Sequence, residues 1–135
     1  MKTTLLAAIL FWVAGSAQTI HKVPATQTSA ASGLEMYRTY CASCHGTEGK
    51  GNGPASSALR NRPTDLTELA RRNSGRFPEM KVFNAITGDA TVAAHGSRDM
   101  PVWGRVFLRI NDSDASKAKL RIRNLTKYIA SIQAK

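Results

Sequence analysis

The two cysteines of this 135-residue chain are three positions apart and are followed at once by a histidine, in the segment Cys41-Ala42-Ser43-Cys44-His45. On one helical turn this spacing presents both thiols to the same side. It is the spacing by which two thiols add to the two vinyl groups of a haem while the next residue offers its imidazole to the iron. The segment therefore predicts one covalently attached haem, with Cys41, Cys44 and His45 as its binding residues.

Three other chemistries use two cysteines at this spacing. A thioredoxin-like redox pair is typical of a strand–helix–strand context, and the sequence shows no convincing strand alternation. Half of a zinc site needs two further cysteine or histidine ligands at a paired spacing, which the chain lacks. A structural disulfide between the two thiols is the alternative that the pattern leaves open.

The first 17 residues predict a cleaved export signal. Lys2 precedes an apolar run over residues 5–14, and Gly15-Ser16-Ala17 has the small side chains that a signal peptidase recognises. The run is far shorter than the roughly 20 apolar residues of a membrane-spanning helix. We therefore expect a periplasmic protein with no stable membrane insertion, a permanent N-terminal anchor being the alternative.

Residues 18–32 predict a flexible tail, because they are small and polar, include a proline and show no periodicity. His21 in this tail is expected to be solvated. The remaining residues, 33–135, have the length of one folded domain.

The spacing of apolar residues predicts an all-α domain. Helices are expected over residues 33–46, 65–72, 78–88 and 115–133, with a loop over residues 89–104. An aspartate or serine at residues 112–114 is expected to cap the last of these helices.

A haem iron with six ligands needs a second axial ligand, and methionine is the choice that raises the reduction potential of electron carriers. Met1 leaves with the signal, and Met36 lies on the attachment helix, from which it can hardly reach the opposite face. Met80 is expected to fill the core. Met100 stands in a loop before Pro101, whose ring restricts it to an extended backbone that can direct its sulfur inward. Met100 is therefore the favoured ligand, with core packing as its alternative role.

The segments Tyr37–Gly46 and Met100–Gly104 together resemble class I c-type cytochromes, the small monohaem electron carriers. The resemblance covers most of residues 33–135. It implies an all-α fold of four or five short helices wrapped around one covalent haem c, with crossing N- and C-terminal helices. His45 is then the proximal iron ligand and Met100 the distal one.

The same resemblance implies roles for further residues. Gly33 lets the two terminal helices cross closely, and Tyr37 and Tyr128 are the aromatic residues at the crossing. Pro54 matches a prolyl carbonyl that accepts the second ring nitrogen of the proximal histidine. A ligand imidazole normally donates that N–H to an acceptor that fixes its ring; plain loop flexibility is the alternative around Pro54. Trp103 is implied either as a donor to a haem propionate or as core packing.

His95 is the alternative distal ligand, and bis-histidine ligation would lower the reduction potential relative to a His/Met pair. His95 also carries the alternative function, a five-coordinate haem protein for small-ligand sensing or weak peroxidase activity. That function needs a vacant distal site with a polar acid/base group.

The chain is strongly basic, with 19 Lys and Arg against 9 Asp and Glu and a formal net charge of +10. No acidic residue follows Asp114, and the last helix and its end hold six cations: Lys117, Lys119, Arg121, Arg123, Lys127 and Lys135. This segment is either an ordinary solvated face or a docking surface for an acidic redox partner. Nucleic acid is not expected, because no stacking aromatics are interleaved with the charges.

The sequence as a whole predicts a periplasmic one-electron carrier that is not an enzyme. It would shuttle electrons between redox proteins or serve as the cytochrome subunit of a redox enzyme.

Overall fold

The computed structural model describes residues 26–89 and 100–134, and all regular structure in these two ranges is helical. The α-helices are α1 (Gly33–Tyr40), α2 (Ala42–His45), α3 (Glu79–Thr87), α4 (Trp103–Ile110) and α5 (Ala115–Ser131). Single 3-10 turns occur at Ser56–Ala58, Leu66–Glu68 and Arg71–Asn73. The all-α prediction is confirmed.

Helices α1 and α5 cross at a glycine. A β-carbon added to Gly33 would lie 2.4 Å from the carbonyl oxygen of Asn124 and 2.8 Å from Cβ of Tyr128. The rings of Tyr37 and Tyr128 meet at this crossing with centroids 5.1 Å apart. The close crossing and its aromatic pair, both predicted above, are confirmed.

The hydrophobic core lies between α5 and the three helices that pack against it, α1, α3 and α4. Met36, Tyr37 and Phe107 are fully buried there, and Leu125 is 1% exposed. Burial of each such large side chain contributes about 1.5–3 kcal/mol relative to exposure. The core therefore ties the first helix of the described chain to the last one.

Asp114 fixes the start of α5. Its carboxylate accepts the backbone N–H groups of Ser116 and Lys117 at 2.9 and 3.0 Å, which satisfies two donors of the first helical turn. These backbone hydrogen bonds, that of Lys117 above all, lower the pKa of Asp114. The predicted cap is thus present at one of the three candidate positions.

Several helix boundaries differ from the sequence prediction. The predicted helix 33–46 is two helices, α1 and α2, which are separated by Cys41. The predicted helix 65–72 is a pair of 3-10 turns. Helix α4 begins at Trp103 inside the predicted loop 89–104, and Gly104 allows it to pack against the backbone of Thr87.

The prediction that residues 18–32 form a flexible tail is wrong for its described part, residues 26–32. Thr28 is 8% exposed and contacts both α1 and α5 through hydrogen bonds. The side-chain amide of Asn124 donates a hydrogen bond to the carbonyl of Ala30 at 2.8 Å, and the side chain of Ser32 caps α1. The short polar side chains of this segment predicted a tail, but its backbone and hydroxyl groups form hydrogen bonds to α1 and α5. Residues 18–25, with His21, lie outside the described residues.

Met80 is also placed differently from its prediction as core filling. It is 67% exposed in the first turn of α3, whereas Val82 and Ile86 are the buried residues of that helix. Residues two positions apart on an α-helix lie on nearly opposite faces, so Met80 points away from the side of Val82.

Candidate haem site

A cavity of about 580 Å³ opens between α1–α2, α3, the start of α4 and the loop over residues 59–69. This volume lies in the range of small-molecule and cofactor pockets. Most of the lining is apolar, and it includes Leu59, Leu66, Leu69, Val82 and Ile86. Such a lining excludes water and suits a large flat apolar ligand.

Cys41, Cys44 and His45 all line this cavity. The backbone N–H of His45 donates to the carbonyl of Cys41 at 2.9 Å, so the three side chains belong to one helical turn. Both cysteines are free thiols in the structure, and the disulfide alternative is not observed. Burial, and secondarily the neighbouring Cys44, raises the pKa of the Cys41 thiol to about 12.

The ring of His45 is oriented by a backbone carbonyl. Its Nδ1 lies 3.1 Å from the carbonyl oxygen of Thr64. An outer acceptor at Nδ1 fixes the ring and assigns metal binding to Nε2. Thr64 thus fills the role that the sequence had assigned to Pro54.

Pro54 is exposed and is not among the residues that line the cavity. It follows Gly53, whose α-carbon packs so tightly on α2 that a β-carbon there would lie 2.4 Å from the carbonyl oxygen of Ser43. Residues 54–63 lie between this contact and Thr64, whose carbonyl reaches the ring of His45. The role of Pro54 is therefore corrected, and the acceptor lies ten residues later.

The glycine-rich segment after His45 brings Thr64 back to the ring. Gly51 donates its N–H to the carbonyl of His45 at 2.7 Å, and Leu66 donates to the carbonyl of Gly49 at 2.7 Å. A β-carbon on Gly51 would lie 2.2 Å from the carbonyl oxygen of Pro63. The absence of side chains at these glycines lets two backbone stretches approach closely behind the histidine.

Tyr37 links this site to the helix crossing. Its buried hydroxyl donates to the carbonyl of Gly46 at 2.7 Å, directly after the histidine. Burial raises the pKa of the Tyr37 phenol above its usual range, with the neighbouring Cys41 as a further cause. The hydroxyl therefore stays protonated and keeps its role as donor to the turn that ends α2.

Met100 and Pro101 line the same cavity as the cysteines and His45. Of the other methionines in the described residues, Met36 is fully buried in the core and Met80 is exposed. Neither of these two lines the cavity. Met100 is thus the methionine that the described chain brings to the site, while His95 lies outside the described residues.

An aromatic cluster forms one side of the cavity. Trp103 lies 5.3 Å from Tyr40 and 5.7 Å from Phe107 between ring centroids. Trp103 and Tyr40 line the cavity, and Phe107 supports them from the core. The packing role considered for Trp103 is observed, and its contact with a haem propionate stays a prediction.

Gln133 is a residue of this site that sequence reasoning missed. Its side chain donates to the carbonyl of Leu66 at 2.7 Å and accepts the N–H of Ala70 at 2.8 Å. The N–H of Ala134 adds a bond of 2.8 Å to the carbonyl of Thr67. Gln133 and Ala134 therefore hold the cavity wall that carries Leu66 and Leu69.

The rim of the cavity is basic. Arg62 and Lys81 line it and are exposed, and none of the ion pairs in residues 26–89 and 100–134 includes either cation. In the same two ranges no group of three His, Cys, Asp or Glu side chains is placed to hold a metal ion. A zinc site of that composition is therefore not present in the described chain.

Two thiols and an imidazole on one turn, an apolar cavity beside them and an all-helical frame fit a covalently bound haem c. The fold and this site define a c-type cytochrome domain.

The comparison with protein families agrees and is more specific. The family model described as cytochrome c oxidase, cbb3-type, subunit III matches residues 28–118, about two thirds of the chain, and the chain belongs to this family. Neither the search of curated proteins nor that of solved structures gave a match. No helix in the described residues is long and apolar enough to cross a membrane.

Proposed function

We propose that this chain is a periplasmic one-electron carrier whose haem c is bound through Cys41, Cys44 and His45 and has Met100 as its second axial ligand. The observation that supports this most is that Met100 lines the same cavity as the attachment turn. When bound, haem c supplies an iron that takes up and returns one electron. The carrier makes and breaks no bond in a substrate, so we propose no enzymatic activity.

The chain's own residues keep the site unchanged between the two oxidation states. Thr64 fixes the ring of His45, and Pro101 restricts the backbone of Met100. The apolar lining excludes water from both. Because little then has to rearrange, electron transfer meets a small structural barrier.

The axial ligand is tested with two methionine variants of the matured protein. In Met100→Ala we expect loss of the weak far-red absorption band of sulfur-to-ferric coordination, a lower reduction potential and binding of carbon monoxide to the reduced form. Met80→Ala is the matched control, because Met80 is exposed and away from the cavity, and its spectrum is expected to equal that of the wild type.

An unchanged spectrum in Met100→Ala would contradict methionine ligation. Prompt, tight binding of carbon monoxide by the wild-type protein would instead favour the five-coordinate haem protein. Haem staining on a denaturing gel separately tests covalent attachment.

We further propose that the electron partner presents an acidic face to the rim formed by Arg62 and Lys81. The exposed cations Lys119, Arg123 and Lys127 form a second basic surface along α5. Complementary charge speeds encounter without tight binding, which suits a carrier that must release its partner.

The two surfaces are distinguished by charge reversal. The variant Arg62→Glu/Lys81→Glu is expected to slow electron transfer with an acidic redox protein about tenfold at low salt, with the difference vanishing at high salt. Lys119→Glu/Lys127→Glu removes the same charge elsewhere and should slow it less. A larger effect in the α5 variant would place docking on α5 instead.

A second candidate is a cytochrome subunit of a larger redox enzyme, which the description of the matched family favours. Both candidates use the same haem site, so spectra do not separate them. Stable co-purification of oxidase subunits with the tagged protein would support the subunit. A monomer that reduces or oxidises several partners in solution would support the free carrier.

Export through a signal over residues 1–17 completes the proposal. Sequencing the N-terminus of the mature protein is expected to begin at Gln18. Recovery of a chain that still begins with Met1 in the cytoplasmic fraction would contradict it.

A further inference from the structure

Arg121 is a buried cation that pairs with no carboxylate of the described residues. It lies on the inner face of α5 with 5% of its surface exposed, and none of the ion pairs found within residues 26–89 and 100–134 includes it. Burying a charge in this way is costly for a fold, while surrounding cations of α5 remain in solvent. Arg121 thus fits neither alternative that the sequence left open for the cations of this helix, a solvated face or a docking surface.

The partners of Arg121 are neutral. Its Nη1 donates to Oγ1 of Thr28 at 2.9 Å, and its Nη2 donates to the carbonyl oxygen of Thr28 at 2.7 Å. A longer bond of 3.4 Å joins its Nε to Oδ1 of Asn111. The planar guanidinium therefore holds the segment before α1 and the turn before α5 at the same time.

A series of hydrogen bonds leads from Arg121 to the haem cavity. Oγ1 of Thr28 lies 3.0 Å from the hydroxyl of Tyr40, and that hydroxyl donates its proton to the carbonyl of Thr26. The guanidinium has only donors, so Thr28 accepts from it and must give its own proton to Tyr40. Every proton in the series is then assigned, and neighbouring bonds strengthen one another.

Tyr40 brings this series to the wall of the cavity. Its ring lines the cavity and is 8% exposed. It packs against Trp103 and Phe107 with centroid distances of 5.3 and 5.4 Å. Hydrogen bonds at the hydroxyl restrain the ring along its axis, so the position of this wall depends on Thr28 together with the carbonyl of Thr26.

We propose that Arg121 is a positioning residue of the haem cavity, which fixes the Tyr40 wall through Thr28 and whose buried charge favours the reduced state of the bound haem. A positive charge without a counter-ion in a medium of low dielectric constant stabilises the state that holds one more electron. The same charge at the surface is screened by water and salt. The inference rests on the proposed function only in requiring reversible one-electron reduction.

The charge is tested by the reduction potential of the holoprotein. Arg121→Gln is expected to shift the potential to lower values, and Arg121→Lys, which keeps the charge, should retain most of the wild-type value. Arg123→Gln removes an exposed cation two residues further along the same helix and serves as the control with no resolvable shift. If Arg121→Gln does not fold, Arg121→Met provides a neutral side chain that needs no hydrogen bonds.

The positioning role is tested with the charge left in place. Thr28→Val keeps the shape of the side chain but has no hydroxyl, so hydrogen exchange over residues 26–32 should speed up and the near-ultraviolet signal of Tyr40 should change. Tyr40→Phe breaks the same series from its other end. The potential should shift less in these two variants than in Arg121→Gln.

Equal potentials in the wild type and the neutral Arg121 variant, or an equal shift in Arg123→Gln, would overturn the electrostatic role. Unchanged exchange and an unchanged tyrosine signal in Thr28→Val would overturn the positioning role. A wild-type protein without a reversible one-electron couple would contradict the proposed function and not this assignment of residues.

Discussion

The crossing of α1 with α5 and the cavity beside it are built in opposite ways. At the crossing, two helices meet so closely that Gly33 has no room for a β-carbon, and Tyr37 is fully buried. The cavity is walled by turns, helix ends and the segment 59–69, and about 580 Å³ remains between them. The crossing is filled by protein atoms alone, whereas the elements around the cavity leave room for a ligand.

From this difference we expect haem c to act as part of the core on the cavity side. Leu66, Leu69 and Trp103 are only partly buried by the chain, and a bound haem would cover their remaining apolar surface. Each Å² so removed from water contributes about 25 cal/mol. We therefore expect the crossing to depend less on the bound haem than the cavity side does.

The largest expected effect comes from removing both attachment thiols. Cys41→Ala/Cys44→Ala should lose covalent haem completely, as measured by haem staining on a denaturing gel. If the two regions differ as described, the near-ultraviolet signal of the Tyr37–Tyr128 pair should persist while thermal stability falls. Ser43→Ala is the control on the same turn, and staining retained in the double variant would refute the attachment.

Filling the crossing should be the next largest effect. Gly33→Ala places a β-carbon against the backbone carbonyl of Asn124, and we expect a loss of about 1–3 kcal/mol in the free energy of unfolding. In an uncrowded helix the same change would be stabilising by up to about 1 kcal/mol. The sign of the measured change in unfolding free energy therefore shows whether the crossing is crowded at Gly33. Denaturant unfolding measures it, and the visible spectrum of the haem should stay unchanged.

A smaller effect is expected at the bond that joins the two regions. Tyr37→Phe leaves the buried carbonyl of Gly46 without the hydroxyl that it accepts, at a cost of about 1–2 kcal/mol. Unlike Gly33→Ala, this variant should also perturb the haem spectrum, because Gly46 follows His45. Tyr128→Phe keeps the ring contact and is the control; equal effects in the two variants would contradict a special role for the hydroxyl.

The smallest effect concerns the decrease in folding stability at acidic pH. Because hydrogen bonds lower the pKa of Asp114 in the folded protein, its stabilising contribution is present at neutral pH and is lost as pH falls through the folded pKa. Asp114→Asn, which also caps helices, should flatten this part of a plot of melting temperature against pH. A curve unchanged by the substitution would contradict the assignment.

Local patterns were sufficient for much of the fold. Helical periodicity predicted the last helix, and the resemblance to class I c-type cytochromes implied the close crossing at Gly33; both are confirmed. Helix α4 was missed, although Trp103, Phe107 and Ile110 recur at helical spacing, and its first two residues were assigned to the loop over residues 89–104. Gly104 lies inside this helix, where it allows close contact with the backbone of Thr87.

The errors in the site have a different cause. The acceptor for His45 is a backbone carbonyl, and every residue carries one, so the side-chain pattern could not distinguish Thr64 from Pro54. Arg121 is buried and Met80 is exposed, the reverse of what their polarity suggests. Arg121 is buried because it forms hydrogen bonds to the distant residue Thr28. Such long-range pairings leave no periodic signal in the sequence.

The hydrogen bonds of Gln133 and Ala134 have a practical consequence for handling the protein. They join the final residues to backbone groups at positions 66, 67 and 70. Changes at Gln133 or Ala134 would therefore disturb the wall of the cavity from a distance. Proteolysis that removed Gln133 and Ala134 would loosen this wall without removing any residue that lines the cavity.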